Sequence, residues 1–195
     1  MPGFASAMRI ILASQSEFRK KGLELLGLKF EVRPANLDEK AIRHENPERM
    51  AVMLAEAKAR AIGEKEPDSL IIASDYFIVF EGKIYEKPAD IDEARHMLMG
   101  FSGKVVDNVC SVAVYNSSTK NMLSAVDHCH MKFRALSEKE VDRYVHKYPV
   151  TRFAGSFDTD GSILFSERID GEPLFAFGMP LSKLIPLLRQ QGVDV

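Results

Sequence analysis

Near the start of the chain, a short apolar run is followed at once by a helical pattern. Residues 9–13 (RIILA) predict a buried strand of the parallel type. Residues 17–26 predict a helix with Leu23, Leu25 and Leu26 on its buried side, and Gly27 is a typical signal for its end. A chain that alternates a buried strand with a helix in this way is typical of an α/β fold.

This alternation continues through the first half of the chain. A second strand is predicted over residues 29–35, and Asn46-Pro47 opens a long helix, since proline suits the first helical turn. The apolar stripe predicted for this helix consists of Met50, Met53, Leu54, Ala57 and Ala61. Residues 69–85 predict a strand with a polar interruption and then a hairpin, and residues 90–103 predict the next helix.

The second half of the chain contains more hairpins. Two antiparallel strands are predicted around residues 116–121, and Ser137 with Glu140 forms a capping box that opens a helix. Residues 162–177 predict a strand, a turn at Asp170-Gly171 and another strand, before a last helix over residues 180–192. The whole pattern predicts an α/β fold with a mixed, twisted sheet and flanking helices.

Composition limits the class of protein. The chain has 195 residues, a formal net charge of −2 and 46% apolar residues, which fits one soluble domain with a sizeable core. We expect residues 1–7 to be a loose tail and residues 8–195 to form the single domain. The near-zero charge gives no support for a nucleic-acid or membrane surface, and no apolar run reaches the ~18 residues of a membrane span. Without an export signal at the start, the expected location is the cytoplasm.

Two cysteines and two histidines raise the question of a metal site. Cys110 and Cys129 have neither metal nor redox spacing. His128 and His130 flank Cys129 in a segment that alternates like a strand, so the two imidazoles would share a face. They could hold zinc, but third and fourth ligands are not evident, and we favour an ordinary strand with Cys129 inward.

The corner between the first strand and the first helix carries Ser14, Ser16 and Arg19. A helix N-terminus presents unpaired N–H groups and the positive end of the helix dipole, which suits a phosphate. The hydroxyls and the guanidinium would add donors to such a cradle. The alternative is that a serine caps the helix and that Arg19 is a solvated surface residue.

Four other segments carry charged residues of the kind that phosphate chemistry uses. Asp75 interrupts an apolar strand, Lys87 ends a hairpin, Lys58 lies beside the apolar stripe of the long helix, and Asp38-Glu39 opens a loop. Two of them have a plainer explanation, Asp75 as a strand-end turn residue and Lys58 as a snorkelling lysine. Together they fit phosphate plus a divalent cation, because the cations neutralise phosphate while carboxylates hold Mg²⁺ and orient water.

A series of different short motifs follows in a definite order between Arg9 and about Gly192. They are Leu12-Ala13-Ser14-Gln15-Ser16-Glu17-Phe18-Arg19, Leu37-Asp38-Glu39, Ala55-Glu56-Ala57-Lys58-Ala59, Ala73-Ser74-Asp75, Lys87-Pro88, Leu98-Met99-Gly100-Phe101-Ser102-Gly103 and Phe177-Gly178-Met179-Pro180-Leu181. In this order and spacing the chain resembles the Maf family of nucleoside triphosphate pyrophosphatases. Two positions depart from the family pattern: Glu17 replaces a proline, and Ala73 replaces a glycine.

A later motif resembles one of the two branches of that family. Residues 154–161 read Ala-Gly-Ser-Phe-Asp-Thr-Asp-Gly, similar to the branch associated with 7-methyl-GTP, with Asp160 in place of glutamate. Phe18 stands where that branch has tryptophan and the other branch has arginine. A methylated guanine carries a positive charge, which favours an aromatic face and a nearby carboxylate. Phe18 and Asp160 would supply both; otherwise they are a core residue and a turn residue.

The resemblance implies hydrolysis of a nucleoside triphosphate to the monophosphate and pyrophosphate. It implies that Asp75 and Glu39 hold Mg²⁺ (or Mn²⁺ or Co²⁺) and activate water. It implies that Lys58, Lys87 and Arg19 bind the triphosphate, with Ser14 and Ser16 in the cradle. It also implies two lobes around a central cleft and a homodimer. The alternatives are a dTTP, UTP or CTP pyrophosphatase of the other branch, or a non-catalytic nucleotide-binding regulator of cell division.

Overall fold

The computed structural model describes residues 8–195, apart from the side chain of Phe175. The predicted tail at residues 1–7 therefore lies outside the described residues. The strands are β1 (Arg9–Leu12), β2 (Glu31–Val32), β3 (Ser69–Phe80), β4 (Lys83–Tyr85), β5 (Val105–Asn116), β6 (Asn121–Phe133) and β7 (Ser166–Gly171). The α-helices are α1 (Glu17–Leu25), α2 (Pro47–Gly63), α3 (Ile91–Phe101), α4 (Glu138–Lys147), α5 (Thr159–Phe165), α6 (Leu174–Phe177) and α7 (Leu181–Gln190). Short 3-10 turns lie at Glu39–Ala41, Val150–Arg152 and Ala154–Ser156.

The seven strands form one mixed sheet in the order β2-β1-β3-β5-β6-β7, with β4 paired to β3. β1 runs parallel to both β2 and β3. β4 is antiparallel to β3, and β7 is antiparallel to β6. The predicted α/β fold with a mixed sheet is confirmed.

The chain divides into two compact units. The first comprises the described residues up to Asp75, together with Cys110–Asp127 and Phe177–Val195. The second comprises Tyr76–Val109 and His128–Ala176. Each unit has its own apolar core, which agrees with two lobes; the cleft expected from the family resemblance stays a prediction.

The first unit has a core on each face of its part of the sheet. On one face, Leu12 and Ile72 pack with Leu23 of α1 and Leu184 of α7. On the other face, the neighbouring residues of the same strands pack against α2. Because successive side chains of a strand point to opposite faces, one strand serves both cores. These two layers determine which side chains of β3 face α1 and α7 and which face α2.

The buried face of α2 differs from the predicted stripe. Met50 and Leu54 are buried as predicted, but Met53 is 41% exposed. The side chain of Asn46 caps the helix, as the Asn46-Pro47 pair predicts. Lys58 lies within the buried face, so its interpretation as a snorkelling residue beside the stripe is wrong. A buried ammonium requires a partner, and for Lys58 this partner is Asp75.

Helix α5 replaces the strand predicted at residues 162–165. Asp158 caps the helix by accepting a hydrogen bond from the Gly161 N–H at 3.1 Å. Phe165 turns inward against the ring of Tyr144, whereas Ile163 and Leu164 are 66% and 48% exposed. The apolar run was misleading because two of its three residues, Ile163 and Leu164, face outward.

The turn predicted at Asp170-Gly171 is also wrong, since both residues pair with β6. Gly171 has a φ of 107°, and a Cβ there would lie 2.6 Å from the His128 carbonyl oxygen. Close approach of two strands, and not a hairpin turn, explains this glycine.

The strand predicted over residues 29–35 is reduced to Glu31–Val32. Among the described residues, no helix combines the length and the apolar character needed to cross a membrane.

Candidate active site

The corner between β1 and α1 is built from its own side chains. Ser16 caps α1 by accepting a hydrogen bond from the Arg19 N–H at 3.5 Å. The Ser14 hydroxyl accepts from the Ser16 N–H at 3.2 Å and from Arg19 Nη1 at 3.1 Å. Arg19 Nε donates to the Gly178 carbonyl oxygen at 2.9 Å. Ser16 is thus a cap, but Arg19 is not simply a solvated surface residue, because two anchors fix its guanidinium at the helix N-terminus.

A buried ion pair lies at the middle of β3. Lys58 Nζ of α2 is 2.5 Å from Asp75 Oδ1, and the two side chains are 11% and 9% exposed. Glu39, in the 3-10 turn after β2, places Oε2 3.2 Å from the same ammonium, with a side chain that is 53% exposed. One lysine therefore joins two carboxylates, of which one is buried and the other is open to solvent.

The environment of Asp75 sets its acidity. Burial raises the pKa of the Asp75 carboxyl above its ordinary value of 3.8, and the Lys58 ammonium opposes that rise. The charge of Arg19 also lowers this pKa, whereas the charge of Glu39 raises it. A carboxylate with a raised pKa is a better proton acceptor, which suits a general base.

The alternation of side chains along β3 places the Asp75 carboxylate on the face of α2. Residues Ser69–Ile72 pair with β1, and residues Ile78–Phe80 pair with β4. Asp75 lies on the stretch between these two partners. Its side chain points to the α2 face, following Ile71 and Ala73 in the alternation. The strand thus carries its carboxylate to the face from which Lys58 approaches.

Two residues that sequence reasoning left without a role belong to this cluster. Ser74 Oγ donates to the Gly178 carbonyl oxygen at 2.9 Å, beside the hydrogen bond from Arg19. Ser74 is 1% exposed. Both residues lie in the quoted motifs, so the signal was their membership of a motif; their side-chain types alone suggest nothing.

Six of the predicted site residues form two groups in the first unit. Ser14, Ser16 and Arg19 build the corner at α1, and Lys58 joins Asp75 to Glu39. The charge of Arg19 acts on Asp75 and relates the two groups. Phe18 is on α1 next to Arg19 and is 43% exposed, so it is not a core residue. An exposed aromatic ring beside a phosphate-type corner is available to a ligand.

Lys87 and Asp160 belong to the second unit. Lys87 is exposed just after β4, and the preceding residue, Glu86, accepts a backbone hydrogen bond from Gly155 at 3.2 Å. Gly155 packs so closely on Ile78 that a Cβ would lie 2.8 Å from its side chain. The later motif therefore folds beside the end of the β3–β4 hairpin. Asp160 is exposed in the first turn of α5, in a helix and not a turn. Their roles stay predictions.

The carboxylates at the site offer few ligands to a divalent cation. In the part of the chain that the structure describes, no group of three or more His, Cys, Asp or Glu side chains could hold a metal ion. Mg²⁺ is commonly bound through one or two carboxylates completed by water and substrate phosphates, so Asp75 with Glu39 fits that mode. Cys129 is fully buried on β6, as expected for an ordinary strand.

Fold and site together define an α/β protein in which a helix N-terminus, an anchored arginine and a lysine between two carboxylates converge. The model of the family described as Maf-like protein matches residues 9–191. The chain belongs to this family.

One curated relative and one solved structure illustrate the similarity. A 7-methyl-GTP pyrophosphatase of Colwellia psychrerythraea strain 34H is 36% identical over 188 residues, which is 95% of this chain and 94% of the relative. The solved structure is a nucleoside-triphosphatase, a dITP/XTP pyrophosphatase, of Mycobacterium abscessus. It has a TM-score of 0.42 and 13% identity over 66% of this chain and 76% of its own, a likeness too distant to define the fold.

Proposed function

We propose that this chain is a nucleoside triphosphate pyrophosphatase that hydrolyses 7-methyl-GTP to the nucleoside monophosphate and pyrophosphate. The observation that carries the proposal is the buried Lys58–Asp75 pair in one cluster with the Ser14–Arg19 corner. The relative named as a 7-methyl-GTP pyrophosphatase, which covers 95% of this chain, supports the same reaction and the same substrate.

The residues divide the chemistry between a base and a set of cations. Asp75 accepts a proton from the attacking water, because burial has raised its pKa. The water oxygen bonds to phosphorus as the bond between the α and β phosphates breaks, and pyrophosphate leaves. Lys58 and Arg19 stabilise the charge that develops on the phosphoryl oxygens. Ser14 and the first N–H groups of α1 hold a phosphate group at the helix N-terminus.

A divalent cation, Mg²⁺ or in its place Mn²⁺ or Co²⁺, completes the proposed site. Asp75 and Glu39 would hold it, with oxygen atoms of the triphosphate as further ligands. When bound, the ion supplies positive charge to the phosphate oxygens. Glu39 is exposed enough to orient a water molecule from the open side of the pair.

Phe18 and Asp160 are the proposed determinants of the base. The exposed ring of Phe18 can stack on a positively charged methylated guanine, which favours an aromatic face. Asp160 would accept hydrogen bonds from N1–H and the amino group of guanine. Lys87 is proposed to bind the triphosphate. The family resemblance also underlies the proposal that the protein is a homodimer, which light scattering of the purified chain tests. We further propose that it acts in the cytoplasm.

Pyrophosphate release with Mg²⁺ over 7-methyl-GTP, GTP, dTTP, UTP and CTP tests the proposal. Asp75→Asn removes the proposed base, and Asp170→Asn, an exposed carboxylate on β7, is the matched control. We expect turnover of 7-methyl-GTP that is lost only with Asp75→Asn. Turnover of pyrimidine nucleotides alone would refute 7-methyl-GTP as the substrate but would still support the pyrophosphatase reaction. Tight nucleotide binding without any turnover would favour the regulator.

A further inference from the structure

The Gly178 carbonyl oxygen accepts two side-chain hydrogen bonds at the same distance. Arg19 Nε donates to it at 2.9 Å, and Ser74 Oγ donates to it at 2.9 Å. A carbonyl oxygen has two lone pairs, so both are used. The carbonyl therefore links the guanidinium of Arg19 to the residue that precedes Asp75 on β3.

The backbone geometry fixes each member of this link. Gly178 has a φ of 60°, a conformation that glycine adopts without steric cost and that aims its carbonyl at Arg19. Ser74 points to the sheet face opposite Asp75, following Leu70 and Ile72 in the alternation. Its other polar neighbour is Cys110 Sγ at 3.6 Å, a weak partner. The Gly178 carbonyl is thus the main partner of the Ser74 hydroxyl.

Arg19 keeps donors available for a ligand. Of its five N–H groups, the one on Nε binds Gly178 and one on Nη1 binds Ser14. Within residues 8–195, the remaining three have no hydrogen-bond acceptor. The two anchors, on Nε and on Nη1, fix the plane of the guanidinium and leave the other N–H groups in a fixed orientation. Phosphate recognition by arginine requires this arrangement.

We propose that Ser74 is a positioning residue: through the Gly178 carbonyl it holds the Arg19 guanidinium for the charge that develops on phosphate. This inference rests on the proposed function and names a residue that acts through another one. Neighbouring residues of β3 would then serve two parts of the reaction. Asp75 is the proposed base on one face of the sheet, and Ser74 fixes the Arg19 guanidinium from the other face.

The test is Ser74→Ala, which removes one hydroxyl from a buried position. We expect kcat/KM for 7-methyl-GTP to fall about fivefold to tenfold, the worth of one hydrogen bond that aligns a charged group. The dissociation constant of inorganic pyrophosphate, measured by calorimetry, should rise by a similar factor. Because Asp75 is unchanged, the acidic limb of the pH–rate profile should keep its midpoint.

Ser111→Ala is the matched control. Ser111 is a fully buried serine of the same unit, and its hydroxyl donates to the Ala51 carbonyl at 2.6 Å without contacting Arg19. Ser111→Ala should lower thermal stability and leave pyrophosphate affinity unchanged. Ser74→Thr should restore the affinity. If Ser74→Ala does not fold, Ser74→Cys takes its place. Because a thiol is a weaker donor, Ser74→Cys should lower pyrophosphate affinity by less than the loss expected for Ser74→Ala.

A double-variant cycle separates positioning from general damage. In an Arg19→Met background, Ser74→Ala should have no further effect on pyrophosphate affinity, because the group that it positions is gone. If Ser74→Ala lowers pyrophosphate affinity equally with Arg19 present and absent, the inference is overturned. It is also overturned if Ser74→Ala and Ser111→Ala lower this affinity equally. Failure of the proposed function would look different: the native protein would bind pyrophosphate and turn over no nucleotide.

Discussion

Lys58→Met is the change that most directly perturbs the candidate site. The ammonium lies 2.5 Å from Asp75 Oδ1, and both side chains are about nine-tenths buried. Methionine fills similar volume without charge, so the variant leaves the Asp75 carboxylate buried and without its cation. Removing one partner of a buried ion pair typically costs about 3–5 kcal/mol of folding free energy. Glu39 adds little to this cost, because it is mostly exposed.

The pH dependence of this cost has a definite sign. Without Lys58, the pKa of Asp75 rises further, so the native state holds a proton that the unfolded chain has lost. Stability then falls as pH rises above the ordinary value of 3.8, by up to about 1.4 kcal/mol per pH unit. The free energy of unfolding of Lys58→Met should therefore lie far below that of the native protein near about pH 8, and much closer to it near about pH 5.

Urea denaturation followed by circular dichroism measures these free energies at both pH values. Asp75→Asn added to Lys58→Met removes the buried charge, so the double variant should be more stable than Lys58→Met alone at the higher pH. Lys139→Met, on an exposed face of α4, is the control and should change stability little. A deficit that does not depend on pH, or a double variant less stable than the single one, would refute the reasoning.

Three further changes have separate expected outcomes. Phe18→Arg should lower kcat/KM for 7-methyl-GTP about twofold to fivefold relative to UTP, the worth of an exposed cation–π contact; an unchanged ratio in the substrate panel would remove Phe18 from base recognition. Lys87→Met should lower kcat/KM about tenfold or more without changing the melting temperature, whereas the exposed Lys83→Met on the same hairpin should change neither. Ser137→Ala breaks the capping box of α4 and should cost about 1 kcal/mol in urea denaturation with turnover intact; a loss of turnover would contradict it.

The fold was predictable wherever local chemistry and burial agree. β1 and α1 lie close to the predicted residues, and α1 and α2 begin where predicted because Ser16 and Asn46 are ordinary helix caps. The segment at residues 162–165 was not predictable from its apolar residues. Its helix depends on the local cap from Asp158 and on Phe165 packing against Tyr144 of α4, a contact that the apolar pattern does not encode.

The site was predictable by residue type but not by environment. Asp75 and Lys58 were identified as charged residues at apolar segments, but only the structure shows that each explains the burial of the other. The placement of Lys58 beside the stripe was wrong because a periodicity argument treats a lysine as outward-facing. Ser74 and Gly178 could not be assigned, because their link runs through a backbone carbonyl, which side-chain patterns do not encode.

The most direct test of the central claim is to identify the products of 7-methyl-GTP by phosphorus NMR. With Mg²⁺ present, the native protein should release pyrophosphate and the nucleoside monophosphate in equal amounts, and Asp75→Asn should release neither. Orthophosphate with a nucleoside diphosphate, or full activity in Asp75→Asn, would contradict the proposed cleavage between the α and β phosphates and the role of the buried carboxylate.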